Sequence, residues 1–398
     1  MKLLVITQYY EPDITAAAFR LTETVDGLIK RGIEVHVITS TPHKSIFNNI
    51  NLIEVNYITR LNIPFFKNQS KLTYIYQYLS FSLGSIIAAI KIRRKFDYDL
   101  ILASSPPITL AFPAFLIKFI SRKPLIFDIR DVWPDSAVAI NKLKKNSIVY
   151  FFFKLVEKFI YKRADKLTCV ASPMKDYIGQ LSQRDDISVI YNGVSENLLK
   201  LIPHKISRSE SQILIFTYAG NIGHAQGLSF LVNAFSKFLK SQSDGKSILQ
   251  IIGNGPEKSN VIKIVNDLGI KKSVIFIDEV SKIEVANILL NSNVLLIPII
   301  PSDIFNLTIP SKVFDYLSFG RPIIASVQGE GKEILSRSKS NIITPMDQTD
   351  TFANAFAEMY TNYKFYNEES YLNKIIASEF SRAKSTDIFY DISFEVLK

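Results

Sequence analysis

Short apolar runs alternate with amphipathic segments along the first half of the chain. Residues 2–7, 34–39, 99–103 and 125–129 form runs typical of buried strands. After the first run, apolar side chains recur at helical spacing on one face, namely Leu21, Val25, Leu28 and Ile29. This order predicts βαβ units of a doubly wound α/β sheet. The first turn lacks G-x-G-x-x-G, which argues against a dinucleotide-binding domain.

The same pattern begins again in the second half of the chain. The runs that predict a second sheet are residues 214–219, 247–252, 274–277 and 294–297. They follow a polar stretch, residues 195–212, that is typical of a linker between domains. We therefore predict two doubly wound domains.

The length of the chain, 398 residues, also favours two domains over one core. We place the first domain at residues 1–200 and the second at residues 201–378. Residues 379–398 are predicted to form a helix that crosses back to the first domain.

A complete short helix is predicted near the C-terminal end of the second sheet. Ser311 is placed as its N-cap after Pro310, and Gly320 suits the left-handed residue that ends it. A helix N-terminus favours a phosphate, and Lys312 adds a full positive charge there. Asp315, one turn further on, suits the two hydroxyls of a ribose. The alternative is an ordinary surface helix with a Lys–Asp pair, and these residues alone leave both open.

Polar or glycine-rich turns follow several predicted strands. Gly220 and Gly253 each come directly after a strand of the second sheet, where backbone amides can approach a phosphate. In the first domain the strand at 125–129 runs into Arg130 and Asp131. Ligands of open α/β sheets bind at the carboxyl ends of the strands, so we expect this charged pair to be functional. The alternative is an ion pair that caps the next helix.

Charge and composition add a membrane hypothesis. Residues 1–200 hold 27 Lys and Arg against 17 Asp and Glu, so the whole net charge of +10 lies in this half. Its basic residues are interleaved with apolar runs, which favours an anionic membrane surface over nucleic acid as the partner. Residues 72–90 carry no charge and are just long enough for a membrane span, but their polar side chains favour an amphipathic helix packed on the sheet. The predicted lipid contacts are Lys91, Arg93, Arg94, Lys154, Lys158 and Lys162.

Two further features bear on chemistry. The single cysteine, Cys169, excludes an internal disulfide framework and a zinc site built from cysteines. Asp97 and Asp99 form a D-x-D pair like the metal signature of another transferase fold, but they lie at the entry to a predicted strand, which argues against a metal site.

Taken together, the motifs resemble those of retaining glycosyltransferases of family 4. The segments that carry the resemblance are Asn192-Gly193-Val194, Tyr218-Ala219-Gly220-Asn221, Gly253-Asn254-Gly255-Pro256 and Pro310-Ser311-Lys312. With Arg130-Asp131-Val132-Trp133-Pro134, the sequence is similar to the branch that builds bacterial O-antigen and capsular polysaccharide, and within it to N-acetyl-L-fucosamine transferases. The resemblance implies a GT-B fold, in which two Rossmann-like domains face a central cleft.

The resemblance also implies the site and its ligands. The donor is a UDP-sugar bound by the second domain, and the acceptor is a polyprenyl-diphosphate-linked saccharide bound by the first. The implied catalytic residues are Arg130, Asp131 and Lys312. The implied donor-binding residues are Ala16, Ala17, Gly220, Asn221, Gln226, Gly253, Gly255, Thr308, Ser311, Lys312 and Asp315. No cofactor and no metal are expected, and the protein is expected at the inner face of the cell membrane.

One departure from the family pattern keeps two alternatives open. Asp315 matches the second acid of the family's E-x7-E motif, whereas Leu307 stands at the first. A membrane-attached protein that binds sugar nucleotides without catalysis would explain this loss. A UDP-sugar epimerase of the same fold is the other alternative, although it needs acid–base side chains and the chain has only His36, His43, His204 and His224.

Overall fold

The computed structural model describes residues 1–13, 15–42, 55–63, 71–139, 142–202, 213–242, 246–346 and 348–398. Their contacts divide the chain into two units. The first unit contains Met1–Asn192 together with Arg382–Lys398, and the second contains Gly193–Ser381. Each unit is an α/β structure built on its own parallel sheet.

Seven parallel strands form the sheet of the first unit. They are β1 (Lys2–Ile6), β2 (Glu34–Ser40), β3 (Ile58–Leu61), β4 (Leu100–Ser105), β5 (Leu125–Ile129), β6 (Lys166–Cys169) and β7 (Ile187–Val189). Their order across the sheet is β3-β2-β1-β4-β5-β6-β7. The winding therefore reverses between β1 and β4, and ligands of doubly wound sheets bind beside such a reversal.

Helices cover this sheet. They are α1 (Ala16–Lys30), α2 (Lys71–Arg93), α3 (Ala111–Ser121), α4 (Asp135–Ala139), α5 (Ile148–Arg163), α6 (Ser172–Ser182) and, from the end of the chain, α16 (Arg382–Glu395). The last helix packs on α1, where Arg31 donates to Asp387 at 2.8 Å and Arg382 donates to Glu23 at 2.8 Å. Phe389 and Ile392 of this helix join the core formed by β1 and β4.

Six parallel strands form the sheet of the second unit. They are β8 (Leu214–Ala219), β9 (Ser247–Ile252), β10 (Val274–Ile277), β11 (Val294–Pro298), β12 (Ile323–Ser326) and β13 (Asn341–Thr344). Their order is β10-β9-β8-β11-β12-β13, so the winding reverses between β8 and β11.

The helices of the second unit complete its layers. They are α7 (Glu196–Leu201), α8 (Leu228–Ser241), α9 (Lys258–Asp267), α10 (Lys282–Asn291), α11 (Ser311–Ser318), α12 (Gly329–Ser336), α13 (Thr349–Thr361), α14 (Tyr363–Glu369) and α15 (Tyr371–Glu379). Aromatic side chains of α8 and α13 pack edge to face against Phe216 of β8, which forms the centre of the core.

The two predicted doubly wound α/β domains are confirmed, with differences in detail. The strands β3 and β13 were not predicted, because both are half-buried edge strands without a long apolar run. The predicted linker begins with a helix: Ser195 caps α7 by accepting a hydrogen bond from the Leu198 amide at 3.3 Å. The rest of that linker, residues 203–212, lies outside the described residues.

The uncharged stretch at 72–90 lies within the 23-residue helix α2. Within the described part of the chain, no helix has both the length and the apolar character that crossing a membrane requires.

Candidate functional site

In the second unit, glycine turns follow β8 and β9 next to the reversal of the winding. Gly220 and Gly253 have φ angles of +139° and +128°, which residues with a side chain rarely adopt. A Cβ atom on Gly253 would collide with the carbonyl oxygen of Gly220. The turns are held by hydrogen bonds from the Gly220 amide to Ile252 and from the Gly253 amide to Ile277, each 2.9 Å long. Glycine at position 253 is therefore required by the backbone packing, and glycine at position 220 is favoured by its φ angle.

Helix α11 begins beside these turns. Its N-cap is Pro310 and its first residue is Ser311, so the prediction that Ser311 is the N-cap is wrong; no side chain caps this end. The backbone of Pro310 is extended, and the helical conformation begins at the next residue. At the other end Gly320 has a φ of +58°, as the sequence predicted for the residue after the helix.

Lys312 brings a positive charge to the Gly220 turn. Its Nζ lies 5.0 Å from the centre of the Tyr218 ring, a cation–π distance, and a Cβ atom on Gly220 would collide with it. Because Gly220 has no side chain, the ammonium group of Lys312 can occupy this position. Burial lowers the pKa of Lys312 to about 8, while the charge of Asp315 acts in the opposite direction.

Tyr316 fixes the position of this lysine. Its buried hydroxyl accepts a hydrogen bond from the Ala219 amide at 2.8 Å and donates one to the Ala219 carbonyl at 3.2 Å. Tyr316 lies four residues after Lys312, on the same side of α11, so the bonds hold this helix face against the end of β8. The sequence carries no signal for this role of Tyr316, because Ala219 lies 97 positions away in the chain.

The remaining predicted donor-binding residues of this unit lie in the same strand-end loops. Asn221 donates to Gln226 at 3.4 Å in the loop after β8, and Gly255 follows β9, where a Cβ atom would collide with the Ile222 carbonyl. Thr308 and Ser311 are half-buried and lead into α11, and Asp315 is half-buried one turn along it. Leu307 ends a short 3₁₀ turn, Phe305–Leu307, just before these residues.

In the first unit, Arg130 lies where β5 ends beside β4. Its guanidinium donates to the carbonyls of Ala17 at 3.0 Å and Ser105 at 3.3 Å. It also lies 3.9 Å from Asp128, and burial lowers the pKa of Arg130 to about 10 while Asp128 opposes the shift. Arg130 thus joins the start of α1, where Ala16 and Ala17 are the first two helical residues, to the ends of β4 and β5.

Asp128 organises the polar groups beneath this arginine. It pairs with the buried Arg20 at 3.3 Å and accepts hydrogen bonds from Ser104 and Thr168, both at 2.8 Å. A buried carboxylate with this many donors is well satisfied. The sequence showed an acid at this place in the strand, but its partners come from distant parts of the chain and could not be foreseen.

Three buried polar atoms at this edge lack a hydrogen-bond partner among the described residues. They are Nη2 of Arg130, Oγ of Ser105 and Oε1 of Gln8. Gln8 follows β1, and Ser105 is the last residue of β4. The winding of the sheet reverses between these two strands. Buried polar groups in folded proteins almost always have partners, so a polar ligand at this edge would satisfy them.

Asp131 and Trp133 continue the chain from Arg130. Asp131 is half-buried, and burial raises the pKa of its carboxyl above the ordinary value. Trp133 packs edge to face on Phe153 of α5 at 5.0 Å. The structure therefore places Arg130 and Asp131 after the carboxyl end of β5 in the first sheet, and Lys312 beside the carboxyl end of β8 in the second.

No group of three or more metal-binding side chains comes together within the described ranges. Asp97 pairs with Arg93 at 3.8 Å, and Asp99 accepts a hydrogen bond from the Lys2 amide at 2.8 Å. Both acids of the D-x-D pair therefore contact neighbouring groups of the protein. His36 contacts Thr59 at 2.9 Å, and His224 is exposed; His43 and His204 lie outside the described residues.

Two families match the sequence, one over each half. Residues 17–198 match Glycosyltransferase Family 4 and residues 214–362 match Glycosyl transferases group 1. The uncharacterized glycosyltransferase MJ1069 of Methanocaldococcus jannaschii is 24% identical over 287 residues, which cover 67% of each chain. The probable glycosyltransferase WbjE of Pseudomonas aeruginosa is 22% identical over 59% of each chain.

Solved structures show the same fold over nearly the whole chain. Sucrose-phosphate synthase of Thermosynechococcus elongatus superposes with a TM-score of 0.80, 15% identity and coverage of 100% of this chain and 99% of that one. Anabaena HepE in complex with UDP-glucose gives a TM-score of 0.73, 15% identity and coverage of 99% and 100%. WaaG, a glycosyltransferase involved in lipopolysaccharide biosynthesis, gives 0.71, 11% identity and coverage of 98% and 99%.

These comparisons agree with the two parallel sheets of seven and six strands. Residues 17–198 and 214–362 of the chain thus match two glycosyltransferase domain families, and its fold is the GT-B fold.

Proposed function

We propose that the protein transfers a sugar from a UDP-sugar to a lipid-linked saccharide, with retention of the sugar's anomeric configuration, in the synthesis of a bacterial surface polysaccharide. The observation that carries the proposal is the position of Lys312. Its ammonium group lies over Tyr218 beside two glycine turns, at the strand ends where an α/β sheet binds ligands. It has no ion-pair partner within the described part of the chain, so a diphosphate would be its counter-ion.

Several features support a nucleoside diphosphate as the ligand of the second unit. The turn at Gly220 and the start of α11 offer backbone and positive charge to phosphates. Asp315 lies one turn from Lys312, at a spacing that suits the ribose hydroxyls. HepE, which has the same fold, has been solved with UDP-glucose, and this favours UDP as the nucleotide.

The first unit is assigned to the acceptor. Arg130 and the buried Ser105 and Gln8 offer unpaired polar atoms at the edge of its sheet, which suits a ligand rich in oxygen atoms. WaaG, of the same fold, is involved in lipopolysaccharide biosynthesis, which favours a lipid-linked saccharide as the acceptor. The resemblance to the O-antigen and capsule branch suggests polyprenyl diphosphate as the lipid carrier. The resemblance to N-acetyl-L-fucosamine transferases suggests an N-acetylated deoxyhexosamine as the sugar transferred.

The proposed transfer takes place on one face of the donor sugar. The bond between its anomeric carbon and the UDP oxygen breaks, the acceptor hydroxyl forms the new bond, and the acceptor proton passes to the departing diphosphate. Lys312 stabilises the negative charge that develops on this diphosphate. Arg130 and Asp131 orient the acceptor, and this positioning supplies much of the remaining rate enhancement.

Calorimetry with UDP and uridine tests the donor site. Lys312→Ala should weaken UDP binding by about 10- to 100-fold, the range for a lost charge-assisted contact, and should leave uridine binding almost unchanged. Asp315→Ala should weaken both ligands, because both carry the ribose. Lys339→Ala is the matched control, since Lys339 is an exposed lysine of the same unit. Equal losses for UDP and uridine in Lys312→Ala would exclude a phosphate role for this lysine.

A product assay separates transfer from the two alternatives. The proposal expects UDP to appear from a UDP-sugar only when a lipid-linked saccharide is added. An epimerase would convert the UDP-sugar without releasing UDP, and a non-catalytic binding protein would leave both substrates unchanged. Leu307, in place of the first acid of the family motif, is the residue that makes the last alternative worth this test.

A further inference from the structure

Three helices of the first unit expose many large apolar side chains to solvent. Phe119 is 74% exposed, Leu155 is 68% exposed and Ile148 is 89% exposed. The exposed apolar side chains of α2, α3 and α5 are Tyr76, Leu79, Leu83, Ile87, Ile90, Phe112, Leu116, Phe119, Ile120, Ile148, Val149, Phe151, Phe152, Leu155 and Phe159. We call this set the apolar face; exposed contiguous patches of this kind mark interaction sites.

The apolar face is continuous across the three helices. α3 contacts both α2 and α5. Phe112 of α3 stacks on Phe152 of α5 at 6.2 Å, and Phe115 meets Phe159 at 4.8 Å. On the other side, Arg93 of α2 donates to the Ile120 carbonyl at 3.2 Å. The three helices therefore present one surface.

The charges around the apolar face have one sign. The helices α2 and α3 contain no acidic residue, and the only acid of α5, Glu157, is fully buried. Six exposed basic residues lie at or just beyond the C-terminal ends of these helices: Lys91, Arg94, Lys95, Arg122, Lys162 and Arg163. Asp97 and Asp165, the exposed acids that follow α2 and α5 along the chain, are each paired with a basic residue of α2 or α3.

These observations fit an anionic lipid bilayer better than a protein partner. A protein partner of ordinary composition would gain from charges of both signs on the rim, whereas exposed aromatic and aliphatic side chains beside basic ones alone match the apolar interior and anionic headgroups of a bilayer. The helices in the described residues are not suited to span a membrane, so contact from one side is the arrangement that fits. We propose that the apolar face docks on an anionic lipid bilayer, with the six basic residues on its headgroups.

The structure changes the set of residues expected at the membrane. α3 contributes Phe112, Leu116, Phe119 and Ile120, although the sequence analysis did not assign it a lipid contact. Lys154 does not belong to the set, because it pairs with Asp135 at 2.9 Å and with Glu157 at 2.6 Å. This proposal stands apart from the proposed transfer reaction, since it requires no substrate.

Vesicle sedimentation with the full chain tests the proposal. The probes are phosphatidylcholine vesicles with and without phosphatidylglycerol, each at low and high salt. Binding should require phosphatidylglycerol and should fall as the Debye length shrinks from about 10 Å at 0.1 M to about 3 Å at 1 M salt. Replacing the six basic residues together with glutamine should weaken binding by at least about 100-fold, because each contributes about fivefold near an anionic surface.

A matched control carries the same change of charge in the second unit. It replaces six exposed lysines there with glutamine: Lys263, Lys271, Lys272, Lys332, Lys339 and Lys364. This control should bind vesicles like the unmodified protein. A third variant, Leu83→Gln with Phe119→Gln and Leu155→Gln, should weaken binding at both salt concentrations, because it removes inserted side chains without changing charge.

The outcomes are decisive in both directions. Weaker vesicle binding by the sixfold glutamine variant and by the triple apolar variant, with unchanged binding by the matched control, supports the proposal. No vesicle binding at low salt, equal binding to vesicles of both compositions, equal loss in the matched control, or self-association through the apolar face in place of vesicle binding would overturn it. Trp133 fluorescence shows that the first unit of each variant is folded, and UDP binding shows the same for the second unit. UDP binding on the same samples also keeps a failure of this proposal separate from a failure of the proposed function.

Discussion

Lys312 shows how one side chain depends on the absence of another. Its ammonium group occupies space that any residue other than glycine at position 220 would fill, and the Tyr218 ring takes the place of water on one side. Partial desolvation lowers the pKa of the lysine to about 8, because burial penalises the charged form. A bound diphosphate would reverse this shift by supplying negative charge.

This reversal predicts how UDP binding depends on pH. Below about pH 8 the lysine is already protonated and the affinity should be nearly constant. Above that value the free site loses its proton while the complex keeps it, so the affinity should fall, by up to about tenfold per pH unit. Phosphate groups ionise near pH 6, so the diphosphate does not titrate in this range. The uracil N3–H of UDP does ionise at alkaline pH, and the controls must account for it.

Calorimetry in buffers of different ionisation enthalpy measures both the affinity and the proton uptake. Uridine binding, and UDP binding to Lys312→Ala, contain the ionisation of the uracil ring but not that of Lys312 at a phosphate, so they serve as controls and should fall less steeply. A UDP affinity that stays flat between about pH 8 and about pH 10 would mean that Lys312 is not the group that meets the phosphate.

At this scale the sequence indicates residue types that suit a nucleotide, but not the contacts that position them. Lys312, Asp315 and Gly220 were selected because their residue types and spacing suit a nucleotide. The hydrogen bonds of Tyr316 to Ala219 span 97 positions of the chain, and the partners of Asp128 span up to 108. Such contacts depend on how strands are ordered in the sheet, which local patterns do not reveal.

At the scale of elements, a partly buried polar network joins α4, α5 and α6. Lys154 pairs with Asp135 and Glu157, and Tyr177 donates to Asp135 at 3.0 Å. Tyr150 also donates to Asp135, at 2.7 Å. Burial raises the pKa of Glu157 to about 7, and the charge of Lys154 opposes this shift. The network holds the segment after Arg130 and Asp131 against the helices that follow it.

Removing Lys154 should therefore cost stability. Lys154→Met leaves the carboxylates of Asp135 and Glu157 without their cation, and it should lower the free energy of unfolding of the first unit by about 3–5 kcal/mol. The double variant Lys154→Met with Glu157→Gln should recover part of this loss, because one of the uncompensated charges is gone.

Trp133 offers a selective measurement. It is the only tryptophan of the chain, it lies in the first unit, and it packs on Phe153 of α5. Its fluorescence during urea unfolding therefore follows the first unit. Lys158→Met, which changes an exposed lysine of the same helix, is the control and should alter the unfolding free energy only slightly. If Lys154→Met lowers the free energy of unfolding no more than Lys158→Met does, the network adds little stability.

The sequence locates three predicted lipid contacts, Lys154, Lys158 and Lys162, in a stretch whose apolar and basic residues alternate at helical spacing, and this stretch forms α5. It could not tell which lysine of α5 faces lipid and which faces the protein. That distinction depends on Asp135 and Tyr177, which lie 19 and 23 positions away. Periodicity gives the faces of a helix, whereas packing decides what each face meets.

At the scale of the whole molecule, the alternation of apolar runs was enough to predict two doubly wound α/β domains. The edge strands β3 and β13 were missed because edge positions are only half-buried and need no apolar run. The order of strands, and hence the two reversals of winding that mark the ligand-binding edges, came from the structure.

The arrangement of the whole molecule also underlies a prediction about metals. The described residues bring no group of carboxylates, histidines and cysteine together, and Lys312 offers the diphosphate a cation of its own. We expect sugar transfer to continue at an unchanged rate in the presence of EDTA, and added manganese to leave it unaltered. Product formation measured by mass spectrometry checks this. Loss of transfer in EDTA with recovery in manganese would contradict it.

The return of α16 to the first unit has a consequence for how the protein is made. The chain leaves this unit after Asn192 and returns at Arg382, whose side chain donates to the Asn192 carbonyl at 3.2 Å. Phe389 and Ile392 then fill the core against β1 and β4, which were synthesised first. During translation the first unit therefore waits, with part of its core uncovered, until the ribosome has produced all of the second. A nascent chain stalled before Arg382 would contain a complete second unit beside an incomplete first one, and the incomplete unit is the one that chaperones would be expected to bind.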